Sequence, residues 1–199
     1  MSARSTAPAT AIRRRGARVY LRPPRRADGE AFLAAIRASR SLHDGWVLPP
    51  STPTAFTTYV RRFGRTARWD PERATHVGFL VCRCTDDAIV GVFNLSEIVR
   101  GAFCSAYLGY YALAPHAGQG YMSEAFGLLL DAAFRTLRLH RVEANVQPGN
   151  AASLRLVERV GFAREGYSRL YVKIAGQWRD HLRYALLAED WRRQRAPRR

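Results

Sequence analysis

The chain has 199 residues, 47% of them hydrophobic, which is enough for one folded domain with its own core and excludes wholesale disorder. Its 32 Lys and Arg against 16 Asp and Glu leave a net charge of +16, so polyanions rather than cations are the expected neighbours. No apolar run reaches the ~18 residues of a membrane span, and the odd number of cysteines (Cys82, Cys84 and Cys104) gives neither a disulfide framework nor a zinc-ligand set, which fits reduced core residues and a cytoplasmic setting.

In chain order, residues 1–17 read as a flexible basic leader without the apolar centre of a secretory signal. Val19 to Pro23 is a first strand, and Asp28 to Arg40 a helix with Ala31, Phe32, Ala35 and Ile36 on one side. Ser41 to Pro50 is irregular and holds Trp46. Thr52-Pro53 is an N-cap followed by proline, opening a helix that runs to Gly64. Thr75 to Cys84, Ala88 to Val99 and Phe103 to Ala114 are strands. A helix from Gly120 to Leu137 carries a stripe of Phe126, Leu129, Leu130, Ala133 and Leu137. Arg141 to Val146 is a strand, and Asn150 to Val160 a helix stopped by Gly161. Tyr167 to Ile174 and Gln177 to Leu187 form a hairpin about Ala175-Gly176. Residues 18–190 thus form the folded domain, and 191–199 a basic tail. Ten arginines lie in or next to the two ends (Arg4, Arg13, Arg14, Arg15, Arg18, Arg192, Arg193, Arg195, Arg198, Arg199), so these ends are expected to attract RNA.

The informative stretch is Leu113-Ala114-Pro115-His116-Ala117-Gly118-Gln119-Gly120-Tyr121-Met122, a strand end, a glycine turn and a helix start. Glycines at a helix N-terminus let bare backbone amides face an anion, and the helix dipole adds to the pull. A phosphate-bearing ligand is one reading, and a plain tight turn is the other. The Gly-Lys-Ser/Thr ending of a P-loop is absent. Ser123 stands where a dinucleotide fingerprint needs its third glycine, and basic residues occupy the place of its acid.

Downstream, Asn150-Ala151-Ala152-Ser153 opens a helix that closes in Gly161-Phe162. Together with the glycine turn this resembles the GNAT superfamily of acyl-CoA-dependent N-acyltransferases. Arg164-Glu165-Gly166-Tyr167 and Gly176-Gln177-Trp178-Arg179-Asp180-His181 resemble the RimJ/RimL-type ribosomal-protein N-terminal acetyltransferases, and the likeness runs from about Val19 to Ala188. It implies a mixed α/β fold of about seven strands and four helices, splayed between the fourth strand, ending at Leu113, and the fifth, starting at Arg141. It also implies acetyl-CoA as cosubstrate, with no metal.

By the same resemblance, the turn from Ala117 through Gly118, Gln119, Gly120 and Tyr121 to Met122 holds the pyrophosphate, and Asn150 reaches the pantetheine. Main-chain groups of Tyr111 and Leu113 pair with the pantetheine amides, the amide near Leu113 also polarising the thioester carbonyl. Ala117 replaces the usual Gln or Arg, and Met122 replaces a small residue and adds bulk beside the phosphates. Ser153 is the candidate acid for the leaving thiolate, or a first-turn residue under the Asn150 cap. Glu97 is the best-placed carboxylate for a base, or a solvent-facing strand end, with a water chain as the alternative. Trp46, Tyr167 and Asp180 either shape the acceptor pocket or simply order their own segments. The function expected is acetylation of a protein α-amine, a ribosomal protein first. A small amine such as a polyamine, and a noncatalytic acyl-CoA- or RNA-associated role, are the rivals.

Overall fold

The structure, a computed structural model, describes residues 14–64 and 73–195. The strands are β1 (Arg14–Arg15), β2 (Val19–Arg22), β3 (Val77–Arg83), β4 (Ile89–Val99), β5 (Ser105–Ala112), β6 (Arg141–Val146), β7 (Ala163–Ile174) and β8 (Gln177–Leu187). The helices are α1 (Gly29–Ala38), α2 (Arg40–His43), α3 (Pro53–Phe63), α4 (Tyr121–Asp131, continued by a π turn over Ala132–Thr136), α5 (Ala151–Val160) and α6 (Ala188–Arg195). The strands form one sheet in the order β1-β2-β3-β4-β5-β6-β8-β7, antiparallel except at β5–β6.

Central strands alternate their apolar residues between two covered faces. On one face, α4 and α5 bury Phe126 and Val157 over Phe79 and Phe93, with the Phe93 and Phe126 rings edge to face at 4.9 Å. On the other, α1 and α3 bury Phe32, Phe56 and Tyr59 over Leu80 and Val92. The capping chemistry holds as the residue types imply: Thr52 Oγ1 accepts the Ala55 amide at 3.2 Å, and Gly161 adopts φ 97° to stop α5. Ala175 and Gly176, at φ 48° and 80°, make the tight β7–β8 turn. Among the described residues, no helix is long and apolar enough to cross a membrane.

The ends differ from the sequence reading. Arg14 and Arg15, assigned to the leader, form an eighth strand on β2; the Arg14 Nε–H donates to Asp131 at 2.9 Å. The basic tail is cut short because α6 runs through Arg195, its Trp191 packed on Phe134 at 5.6 Å and flanked by the Arg135 and Arg195 guanidiniums, each 5.2 Å from the ring. A lone tryptophan in a run of arginines shows no periodicity, which is why this helix escapes a pattern search. Of the ten end arginines, Arg4, Arg13, Arg198 and Arg199 lie outside the described residues.

Because Trp191 is 3% exposed, Trp191→Ala should destabilise the fold by about 3–5 kcal/mol, read as a lower midpoint in urea denaturation. An unchanged midpoint would show that α6 adds nothing to the core.

Candidate active site

The site begins where two parallel strands part. β5 and β6 pair only at Ser105–Arg141, Ala106–Val142 and Tyr107–Glu143, and beyond Tyr107 the edge of β5 faces a gap. The Leu113 amide donates to the Val90 carbonyl at 2.9 Å. Antiparallel pairing alternates the direction of successive residues, so Tyr110 and Ala112 turn their polar groups the other way, into the splay. The expectation for Tyr111 and Leu113 is therefore corrected: the main-chain groups of both face β4, so Tyr111 lines the gap without offering it a free backbone edge, and Leu113, its side chain fully buried, does not line it.

A cavity of about 520 Å³ occupies the splay, floored by Tyr110, Tyr111 and Ala112. One end of it is the glycine turn. Gly118 and Gly120 adopt φ 78° and 80°, and Gly120 caps α4. That leaves the first-turn amides of Tyr121, Met122 and Ser123 without carbonyl partners inside the helix, aligned with its dipole. Ala117 lines this end as well, whereas Gln119 does not; its side chain donates to the Pro115 carbonyl at 3.0 Å.

Arg18 stitches the turn to the chain start. Its Nε–H donates to Glu124 at 2.9 Å, its backbone amide to the same carboxylate at 2.8 Å, and its guanidinium to the Gln119 carbonyl at 3.1 Å. Burial pushes the Glu124 carboxyl up, but these donors and the Val19 amide outweigh it and hold it below its usual range.

Met122 resolves its own difficulty. Its side chain folds inward over β4, where a Cβ on Gly91 would lie 2.3 Å from its Sδ. Gly91 has no side chain, so the thioether packs on the sheet.

One wall is α5. Asn150 Oδ1 accepts the Ser153 amide at 3.1 Å as an N-cap, and Asn150 also lines the cavity. Ser153 reaches the cavity with its hydroxyl in a close hydrogen bond to the Tyr110 phenol, which also lies 3.3 Å from the Ser153 carbonyl. Burial pushes the Tyr110 phenol up to about 12, against a smaller opposing effect of the Ser153 bond. Tyr110 is thus a site residue that the sequence reading missed; its only signal is that it shares the splay-facing direction of Ala112.

The opposite wall is the α1–α2 corner. The Ala114 amide donates to Ser39 Oγ at 2.8 Å, and His43 Nε2 lies 2.8 Å from the Ala112 carbonyl. Since that carbonyl can only accept, Nε2 carries the proton. These side chains satisfy edge groups of β5 that a neighbouring strand would have taken. The His43 ring is 5% exposed and packs edge-on against Tyr111 at 5.2 Å, and burial lowers its pKa below 6.5. Trp46 lines the same wall and lies over Gly149, while Gln147 Nε2–H donates to the Gly45 carbonyl at 2.9 Å.

Three expected residues lie elsewhere. Glu97 sits at a bulge of β4 with its side chain 63% exposed, 3.5 Å from Arg62 and 3.4 Å from His76, and does not line the cavity. The Tyr167 hydroxyl donates to Asp180, which also accepts the Leu170 amide at 2.7 Å; the pair orders an irregular stretch of the β7–β8 hairpin outside the cavity. Among the described residues, no carboxylate lines the cavity, whereas Arg155 and Arg159 do. An anion held by backbone amides fits such a lining, and a bare cation does not.

Comparison with known proteins identifies the family of the chain. The family described as Acetyltransferase (GNAT) domain matches residues 18–163. A relative from Bacillus subtilis (strain 168), named as a probable N-acetyltransferase, YjcK, is 34% identical over 184 residues, covering 88% of this chain and 97% of its own. The [Ribosomal protein uS5]-alanine N-acetyltransferase of Escherichia coli (strain K12) is 45% identical over 103 residues, about half of either chain (52% and 53%). The structure of Mycobacterium smegmatis RimJ in complex with CoA-disulfide superposes with a TM-score of 0.76 at 30% identity, covering 86% of this chain and 82% of its own.

Two outcomes test the site. Gly91→Ala displaces the Met122 thioether and should weaken coenzyme A binding about tenfold in calorimetry, and adding Met122→Ala should restore most of it, leaving the milder approach of the new Cβ to the Tyr111 carbonyl at 3.1 Å. His43 must shed its proton to fold, so stability should fall as pH drops below 6.5. The loss of melting temperature between about pH 7.5 and 5.5 should be smaller in His43→Gln, which keeps a donor for Ala112 but does not titrate.

Proposed function

This chain belongs to the GNAT acetyltransferases of the RimJ/RimL type, and from that premise we propose that it acetylates the N-terminal α-amine of a protein, most directly a ribosomal protein, by direct transfer from acetyl-CoA. N-acetyl transfer from an acyl-CoA is the common chemistry of the family. The observation that carries the reading is the cavity itself: a splayed strand edge for an amide-bearing arm, leading to unpaired helix amides for phosphates, with no carboxylate among its described lining residues. The E. coli relative's action on a ribosomal protein supports the acceptor class. The surplus of arginine supports proximity to ribosomal RNA.

The cosubstrate brings an acyl group activated as a thioester, and the chain supplies position and protons. The amides of Gly118 to Met122 hold the pyrophosphate. The splay-facing groups of Tyr110 and Ala112, in place of Tyr111 and Leu113, pair with the pantetheine as a strand would. The carbonyl of Ala112 is already taken by His43, which leaves its amide as the available donor.

Ser153 holds a proton for the departing sulfur, and Tyr110 positions that hydroxyl. With its pKa near 12 the phenol does not give up its own proton to a thiolate whose thiol titrates near ~8.5. An α-amine titrates near ~8, so water suffices as base near neutral pH. None of the three cysteines lines the cavity, which favours direct transfer over an acyl-enzyme. A polyamine acceptor would find no carboxylate in that lining, so the protein amine is the better fit.

Incubation with acetyl-CoA and a panel of N-terminal peptides, read by mass spectrometry, should show acetyl on the α-amine. Turnover of free amines alone would favour a small acceptor, and tight coenzyme A binding without product would favour a noncatalytic role. Ser153→Ala should lower kcat roughly 10²-fold with little change in KM for acetyl-CoA. Tyr110→Phe should lower kcat less, and the double variant no further than Ser153→Ala alone.

A further inference from the structure

We propose that Arg155 and Arg159 form a binding site for the ribose 3′-phosphate of coenzyme A, so that this chain selects the 3′-phosphorylated cosubstrate over dephospho-CoA. The inference rests on the acyl-CoA reading of the cavity and adds to it the one phosphate that the glycine turn leaves unassigned. That turn offers the amides of a single helix start, suited to the pyrophosphate. Coenzyme A carries a further phosphate, on its ribose, which must meet either solvent or a separate cationic site.

Both arginines line the cavity, and at positions i and i+4 they share one face of α5. The sulfur end of the cavity is marked by Ser153 on the same helix. At about 1.5 Å per residue, Arg159 lies roughly 9 Å farther along the axis, away from the chemistry. Among the described residues, neither guanidinium has a carboxylate or carbonyl partner.

The contrast with nearby cations is what makes the pair informative. Arg18, at the glycine turn, is consumed by Glu124 and the Gln119 carbonyl. Arg83 is tied to Asp86. The single carboxylate of α5, Glu158, accepts from the Tyr184 hydroxyl at 2.7 Å and is drawn off to the β8 side. Arg155 and Arg159 are therefore left lining the cavity with no carboxylate beside them among the described residues. Guanidinium forks meet phosphate oxygens in paired, charge-assisted bonds, and two forks suit a dianion.

Calorimetry with coenzyme A and dephospho-CoA, which differ only in that phosphate, tests the assignment. The wild-type protein should prefer coenzyme A by about tenfold or more, and the preference should shrink as salt rises. In Arg155→Gln/Arg159→Gln the preference should vanish, while dephospho-CoA binds as it does to the wild type, which also shows that the turn and fold are intact. Equal wild-type affinities, or a preference that survives in the double variant, would overturn the proposal. Loss of dephospho-CoA binding in the variant would also overturn it, by placing the arginines on the pyrophosphate. If the wild type binds neither compound, the acyl-CoA reading itself fails, which is a distinguishable result.

Discussion

A strand that loses its neighbour halfway along must still satisfy its backbone, and the whole site follows from how β5 does so. Ser105 to Tyr107 pair with β6; past them the strands diverge and the edge of β5 stands open. Two side chains from the α1–α2 corner take part of the debt: Ser39 accepts the Ala114 amide and His43 meets the Ala112 carbonyl. What remains unfilled is the short edge from Tyr110 to the Ala112 amide, and this is where a strand-like ligand belongs.

The glycine turn is anchored to distant parts of the chain. Glu124, in the first turn of α4, receives the amides of Arg18 and Val19 and so ties the beginning of the sheet to the beginning of the helix. A carboxylate there also suits the helix dipole, yet its main work is mechanical. Across the cavity, Gln147 reaches the Gly45 carbonyl and Trp46 covers Gly149, so that the two walls brace one another above the floor. Tyr110, on β5, spans the cavity floor to Ser153 on α5.

Features written in neighbouring residues were legible in the sequence: the Thr52 cap, the Asn150 cap with its Gly161 stop, the Ala175-Gly176 turn, and the glycines before α4. The sheet and its splay could be placed because the resemblance ran through those same motifs. Features that depend on partners far along the chain were not legible. His43 and Ala112 are 69 residues apart, and nothing in either residue announces the bond. The direction of the Leu113 amide depends on strand parity, which shifts by one residue without any change in composition. Glu97 carries its charge on the right strand, but a bulge turns it toward His76 and Arg62. Tyr167 and Asp180 satisfy each other, an economy that only the folded hairpin shows.

The inward fold of Met122 carries a historical consequence. Its side chain occupies the volume that any larger residue at position 91 would need, so the two positions behave as one inherited choice. A lineage that shortens residue 122 first leaves only the Tyr111 carbonyl, 3.1 Å from a Cβ at position 91, to give way when residue 91 grows, whereas the reverse order passes through a more crowded intermediate. Descent across this pair is therefore directional, and alanine at 91 should turn up only in relatives whose residue 122 is already small.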